Sequence, residues 1–229
     1  MPYRKSSYRR DFEDRVHLLK AEAAKANSFG VDLHDARDMV FQCAIFQTSA
    51  ALETYLKLII ESWFQQLKIN GLGAFIPASV RGRIATQRLL PPFETYVAKK
   101  EEGPIYNYLA NQADIWQIMI GNPQIPTRFT GKEIHDGRAY PSNKNLKLLF
   151  IRVGIQNIHD ELARILRRDI DTLIEGFQSI RTAIAHSAPP DITLKDVKRL
   201  LGDMMDLVRA LDRVVYRHVS RHGGDICWK

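Results

Sequence analysis

The 229 residues carry 45% apolar and 26% charged side chains, ordinary globular values that exclude general disorder and suffice for one sizeable core. Lys and Arg number 33 against 26 Asp and Glu, a net charge of +7 that favours an anionic partner, nucleic acid being the commonest. Cys43 and Cys227 stand far apart with no CxxC, no apolar run reaches membrane-span length, and the opening MPYRKSSYRRDF is basic without a signal-type apolar core, so a cytoplasmic protein that does not enter the membrane is expected.

Helical periodicity dominates and no convincing period-two strand is present, which predicts an all-α chain. The first amphipathic stretch runs from Asp11 to Asn27 and stops near Gly30, a plausible C-cap. A very long helix follows from Leu33 to Ile69, with Asp32 placed to cap it. Between 70 and 143 the texture changes. Prolines at 77, 91, 92, 104, 123, 126 and 141 and a comparable number of glycines cut the chain into short pieces, with helices predicted over Ala78–Leu90 and Pro104–Ile120. The stretch GNPQIPTRFTGKEIHDGRAYPSN is too long and polar for core and reads as a functional or mobile loop. The whole of 70–143 is therefore taken as a helical and loop insertion between core helices.

Two strong helices close the chain. His159 to Ser187 carries an apolar stripe at Leu162, Leu166, Ile170, Leu173, Phe177, Ile180 and Ile184. Thr193 to Arg221 carries Leu194, Val197, Leu201, Met204, Val208, Leu211 and Val215, alternating steps of three and four as in a bundle seam. Thr193 with Asp196 approximates a capping box. The expectation is one domain over 1–229, a helical bundle whose core helices span about 33–69 and 150–221.

The first of these closing helices ends in RTAIAHSAPPD, which sets Arg181 and His186 beside a stop signal. At about 100° per residue, Arg181 lies about 60° from Ile184, at the margin of the apolar stripe, where its methylenes can pack while the guanidinium reaches solvent or a partner. Pro189 disfavours helical geometry at Ala188, so His186 falls in the last turn or cap. A bland reading is available: a histidine at a helix C-terminus meets the dipole favourably, and the arginine is a surface residue.

The stretch EGFQSIRTAIAHSAPPDITLKDV resembles the R-x4-H signature of the HEPN superfamily, through Arg181, the small apolar run Ala183–Ile184–Ala185, His186, Ser187 and the short turn PPDIT. Upstream, FQTSAALETYLKLIIE resembles the first long core helix of the RiboL-PSP-HEPN-like branch, with Glu53 in its ALE segment. Thr182 stands where many members have Asn, Asp or His, and Ser187 where many have glycine. The resemblance implies a HEPN-like bundle and metal-independent RNA cleavage in a cleft between the two copies of a homodimer. It also implies a setting as a toxin, with a protein antitoxin as a possible partner, or as an anti-phage defence component. On that resemblance His186 is the general acid and base, Arg181 the phosphate clamp and Glu53 a supporting carboxylate. The side chains suit those roles, because imidazole titrates near neutrality and guanidinium stays charged with a bidentate fork. No cofactor or metal is expected.

Glu53 shares a helix face with Phe46, Ala50, Leu56 and Ile60. A carboxylate there needs a partner. Two are open: Lys57 one turn on, or Arg181 or His186 across the bundle. His34–Asp35, His135–Asp136 and His159–Asp160 lack the further ligands of an HD-type metal site, and His218, His222 and Cys227 lack a strong fourth ligand for zinc. The basic, aromatic stretches YRKSSYRR, RGR at 81–83 and TRF at 127–129 are candidates for contact with RNA. The remaining readings are a non-catalytic HEPN module that binds RNA or a partner protein, and a structural helical dimer paired through the last-helix seam.

Overall fold

The computed structural model describes residues 2–136, 140–186 and 191–229; Ser187 and the prolines at 189 and 190 lie outside them. The described residues form ten α-helices and no strand, so the all-α expectation holds. The helices are α1 (Ser7–Ala26), α2 (His34–Ile69), α3 (Ala78–Lys99), α4 (Glu102–Ala110), α5 (Ala113–Met119), α6 (Lys132–His135), α7 (Asn143–Val153), α8 (Ile158–Leu166), α9 (Ile170–Ala185) and α10 (Leu194–Arg221).

Several helices start where the sequence supplies an acceptor for an orphan N–H, although α2, for which Asp32 is the expected cap, has Leu33 at its N-cap and no side-chain cap. Ser6 accepts from the Arg9 amide at the head of α1 and Ser142 from Asn145 at the head of α7. At the head of α10, Thr193 and Asp196 make both bonds of the capping box. The predicted α10 seam is the core seam: Val197, Leu201, Met204, Val208, Leu211 and Val215 are buried, and Leu194 packs against them. α2, α1 and α10 lie against one another, with α8 on α10 and α9 on α2. Of these, α2 is central, with Phe41, Ile45, Leu52, Leu56, Trp63 and Leu67 all buried.

One buried carboxylate ties the N-terminal segment to this layer. Asp212 of α10 is fully buried and accepts from the Tyr3 hydroxyl at 2.5 Å, the Ser6 amide at 3.2 Å, the Tyr55 hydroxyl at 3.3 Å and the Ser6 hydroxyl. Burial, then the bond to Asp212, pushes the Tyr3 hydroxyl up to about 12. Nearby, Glu13 is buried among Lys5, Arg9 and Arg209. Burial would raise its carboxyl, but hydrogen bonds from Lys5, Arg209 and Arg9 win and hold it at about 2.

Four departures from the sequence reading have physical causes. The expected helix from 159 to 187 is two helices. Arg167 adopts a left-handed φ of 53° and closes α8, and Asp169 then caps α9 by accepting from the Thr172 amide. The expected stop at Leu90 does not occur, and α3 runs through Pro91 and Pro92 to Lys99. Pro92 leaves the Arg88 carbonyl without its helical donor; the Tyr108 hydroxyl of α4 supplies one at 2.8 Å. The expected helix over 104–120 breaks at Asn111–Gln112 into α4 and α5. Finally, the polar-looking stretch after residue 120 is anchored in the core through Ile125, Phe129 and Ile134. The guanidinium groups of Arg88 and Arg128 pack against Phe129, at 5.8 and 5.1 Å from its ring centroid.

Candidate functional site

α9 delivers Arg181 to a face of α2. Its guanidinium carbon lies 5.3 Å from the Phe46 ring centroid and 5.2 Å from that of Tyr140, so two aromatic rings pack against the cation. Nη1 donates to the Tyr140 hydroxyl at 3.3 Å, a long bond. Tyr140 in turn donates to Gln178 Oε1 at 2.6 Å, and Gln178 Nε2 donates to the Pro141 carbonyl. Gln178 sits one turn before Arg181, so the same face of α9 fixes the ring and receives it. Arg181 Nε is buried and has no hydrogen-bond partner among the described residues. No bond described engages Nη2. The two rings hold the cation by cation–π contact, while the fork of N–H donors is the part of an arginine that grips a phosphate.

His186 is the C-cap of α9, as the proline rule requires, with its amide bonded to the Thr182 and Ala183 carbonyls at 3.2 and 3.3 Å. Its side chain is exposed. Five residues separate it from Arg181, about 7.5 Å of rise along an ideal helix, and its own non-helical backbone, φ −109° and ψ 33°, means that the turn and not the helical wheel sets its direction. Thr182, between them, is exposed.

Of the two partners open to Glu53, the structure shows Lys57, whose Nζ lies 2.6 Å from Glu53 Oε1; both side chains are about one-third exposed. Glu53 stands two turns along α2 from Phe46, about 10 Å from the ring that carries Arg181. The structure therefore brings Arg181 together with Phe46, Tyr140 and Gln178, none of them nominated from sequence, and gives Glu53 to its own helix.

The other nominated clusters are largely committed within the fold. Lys5 and Arg9 pair with Glu13, Arg83 with Asp136 at 2.6 Å, and Arg128 with Asp114 at 2.9 Å. His34 pairs with its neighbour Asp35 on the surface. His135 reaches Glu61 at 2.7 Å, and His159 reaches Asp171 at 3.1 Å. In the tail, His218 stacks on His222 at 4.6 Å and meets Trp63 edge-on, while Cys227 Sγ points to the Gly223 carbonyl. Burial first, and then His222, lowers His218 to about 4, with the Val153 carbonyl working the other way. Among the described residues no group of three His, Cys, Asp or Glu is arranged to hold a metal ion, and no helix is long and apolar enough to cross a membrane.

Comparison of the chain with protein-family models, with curated proteins and with solved structures returns no match.

Proposed function

We propose that this chain is a metal-independent endoribonuclease of the HEPN type. The single observation that supports the reading is Arg181, packed against the rings of Phe46 and Tyr140 with one long bond from Nη1, on the helix that ends in His186. In the proposed reaction a ribose 2′-oxygen attacks the adjacent phosphorus as its proton passes to an imidazole. The bond from phosphorus to the 5′-oxygen breaks, a proton from imidazole completes the leaving hydroxyl, and a 2′,3′-cyclic phosphate remains. Arg181 would hold the non-bridging oxygens as negative charge grows on them. A complete site is proposed to form between two copies, each offering its α9 end with Arg181 and His186. Such an enzyme fits a toxin paired with an antitoxin protein, or an anti-phage defence component, in the cytoplasm. Glu53 could support the site only by leaving Lys57.

The second reading, a non-catalytic HEPN module that binds RNA or a partner protein, draws on that Glu53–Lys57 pair, which commits the nominated carboxylate elsewhere. Purified chain incubated with tRNA and single-stranded RNA in EDTA separates the two. Cleavage by wild type, with 2′,3′-cyclic ends, and its loss in His186→Ala and Arg181→Ala support the enzyme. Binding without cleavage by any of the three supports the module, and a monomer at micromolar concentration in sedimentation counts against a shared site.

A further inference from the structure

Residues 209–221 of α10 read RALDRVVYRHVSR, with an arginine at every fourth position. Each step advances about 6 Å along the axis and about 40° around it, so Arg209, Arg213, Arg217 and Arg221 form one slowly turning ridge. The only acidic side chain within the stretch, Asp212, is fully buried. Arg209 is neutralised by Glu13 and Asp206. Arg217 meets Glu161 at 3.1 Å, but its side chain is 57% exposed, and an ion pair so open to water is easily exchanged. Arg213 and Arg221 are exposed and have no acidic partner among the described residues. A second, independent feature flanks the ridge. The Tyr216 ring meets Tyr3 on one side and Trp228 on the other, edge-on and 5.3 Å away in each case, and all three residues are half-buried. The ladder is held in place, since Trp228 Nε1 donates to the Arg4 carbonyl at 2.7 Å and the Tyr3 hydroxyl to Asp212. Arg213 joins the two features, its guanidinium carbon lying 5.9 Å from the Tyr3 centroid. Asp225, the carboxylate beside the ladder, is bonded by the Ser220 hydroxyl at 2.6 Å.

We infer that this face holds single-stranded RNA, its phosphates along Arg213, Arg217 and Arg221 and its unpaired bases against the Tyr3–Tyr216–Trp228 ladder. A repeat of about 6 Å on the helix is close to the separation of successive phosphates on an extended strand. A cationic track beside aromatic rings is the arrangement that binds single strands, because only an unpaired base has a face free to stack. Arg213 stands 19 residues beyond Leu194, about 28 Å along α10 from the end that follows His186. The face therefore grips strand that flanks the cut and not the scissile bond. It names where the substrate of the proposed nuclease is held, and rests on that reading for its purpose, but its test involves no cleavage.

The test is fluorescence anisotropy of the full chain with a short, labelled 2′-O-methyl oligouridylate. That strand has no 2′-hydroxyl to attack, so binding is read apart from any cleavage, and a protein that binds it yet cuts no RNA keeps this face while losing the nuclease. Three phosphate contacts predict a slope of log K against log salt of about −2. The double variant Arg213→Gln/Arg221→Gln should bind at least about tenfold more weakly, with the slope reduced to about −0.7. Lys99→Gln/Lys100→Gln removes the same charge from exposed positions at the end of α3 and should change neither quantity. An abasic strand of the same length, with every phosphate kept, should bind the unaltered chain at least about fivefold more weakly. Equal affinity in the two double variants, an abasic strand bound as tightly as the oligouridylate, or a preference for duplex over single strand would overturn the assignment.

Discussion

The aromatic clamp on Arg181 can be measured without assuming any activity. A double-mutant cycle between Arg181→Ala and Tyr140→Ala, read by urea denaturation, isolates the interaction across one face of the guanidinium. The group is half-buried with its carbon 5.2 Å from the Tyr140 centroid, which places the cation–π contribution at about 1–2 kcal/mol. The bond from Nη1 to the hydroxyl is 3.3 Å long and adds little. The expected coupling is therefore about 1–2 kcal/mol, well outside the roughly 0.5 kcal/mol scatter of independent sites. Tyr140→Phe should retain most of it, since the ring and not the hydroxyl holds the cation. A coupling within about 0.5 kcal/mol would refute the clamp, and with it the idea that α9 presents a pre-oriented fork. Where RNA is cleaved, Arg181→Lys keeps the charge but loses the planar fork, and cleavage should fall about 10–100-fold, or roughly 1.4–2.7 kcal/mol of transition-state stabilisation.

Other measurements bear on the frame. Asp212→Ala strands the Tyr3, Tyr55 and Ser6 donors that it now accepts from; urea melts should show a loss on the order of 3 kcal/mol, and a loss under about 1 would mean that water replaces it. Glu13 has its folded carboxyl lowered to about 2 from an ordinary 4.5, so its contribution is complete above pH 4.5 and drains away as pH falls towards 2. Glu13→Gln should flatten the stability profile over that window, as read by thermal melts at successive pH values. Tyr108→Phe should cost about 1–3 kcal/mol by leaving the Arg88 carbonyl unpaired, and much less in a Pro92→Ala background, where the helix supplies its own donor.

The long helices were legible because burial imposes a period. On α10 every residue named for the seam is buried or packed on the core, and the capping box sits where Thr193 and Asp196 predict it. The same signal hid the break between α8 and α9. Leu166 and Ile170 are four apart, the helical step, so the apolar stripe passes unbroken over Arg167, whose left-handed turn is a tertiary outcome with no marker such as glycine. Pro91 and Pro92 misled in the opposite direction. The rule that proline ends a helix rests in part on an orphaned carbonyl, and here a tyrosine from α4, 20 residues away, satisfies the Arg88 carbonyl that Pro92 leaves open.

At the site, sequence could place Arg181 at a stripe margin and His186 at a cap, because both follow from the wheel and from Pro189. It could not supply the surroundings. Phe46 lies 135 residues before Arg181, at a half-buried edge of α2, and Tyr140 comes from a stretch whose prolines and glycines read as solvent-exposed loop. The hydrophobic anchors Ile125, Phe129 and Ile134 lie within that same stretch, spaced too irregularly for either helical or strand period to register, and they bring Tyr140 towards α9. A local motif thus names a cation, but whether that cation is free to meet a phosphate is decided by what packs against it. The covering here comes entirely from residues distant in sequence, so the chemistry of Arg181 belongs to the packing of α2, α9 and the segment at Tyr140 as much as to the motif that contains it.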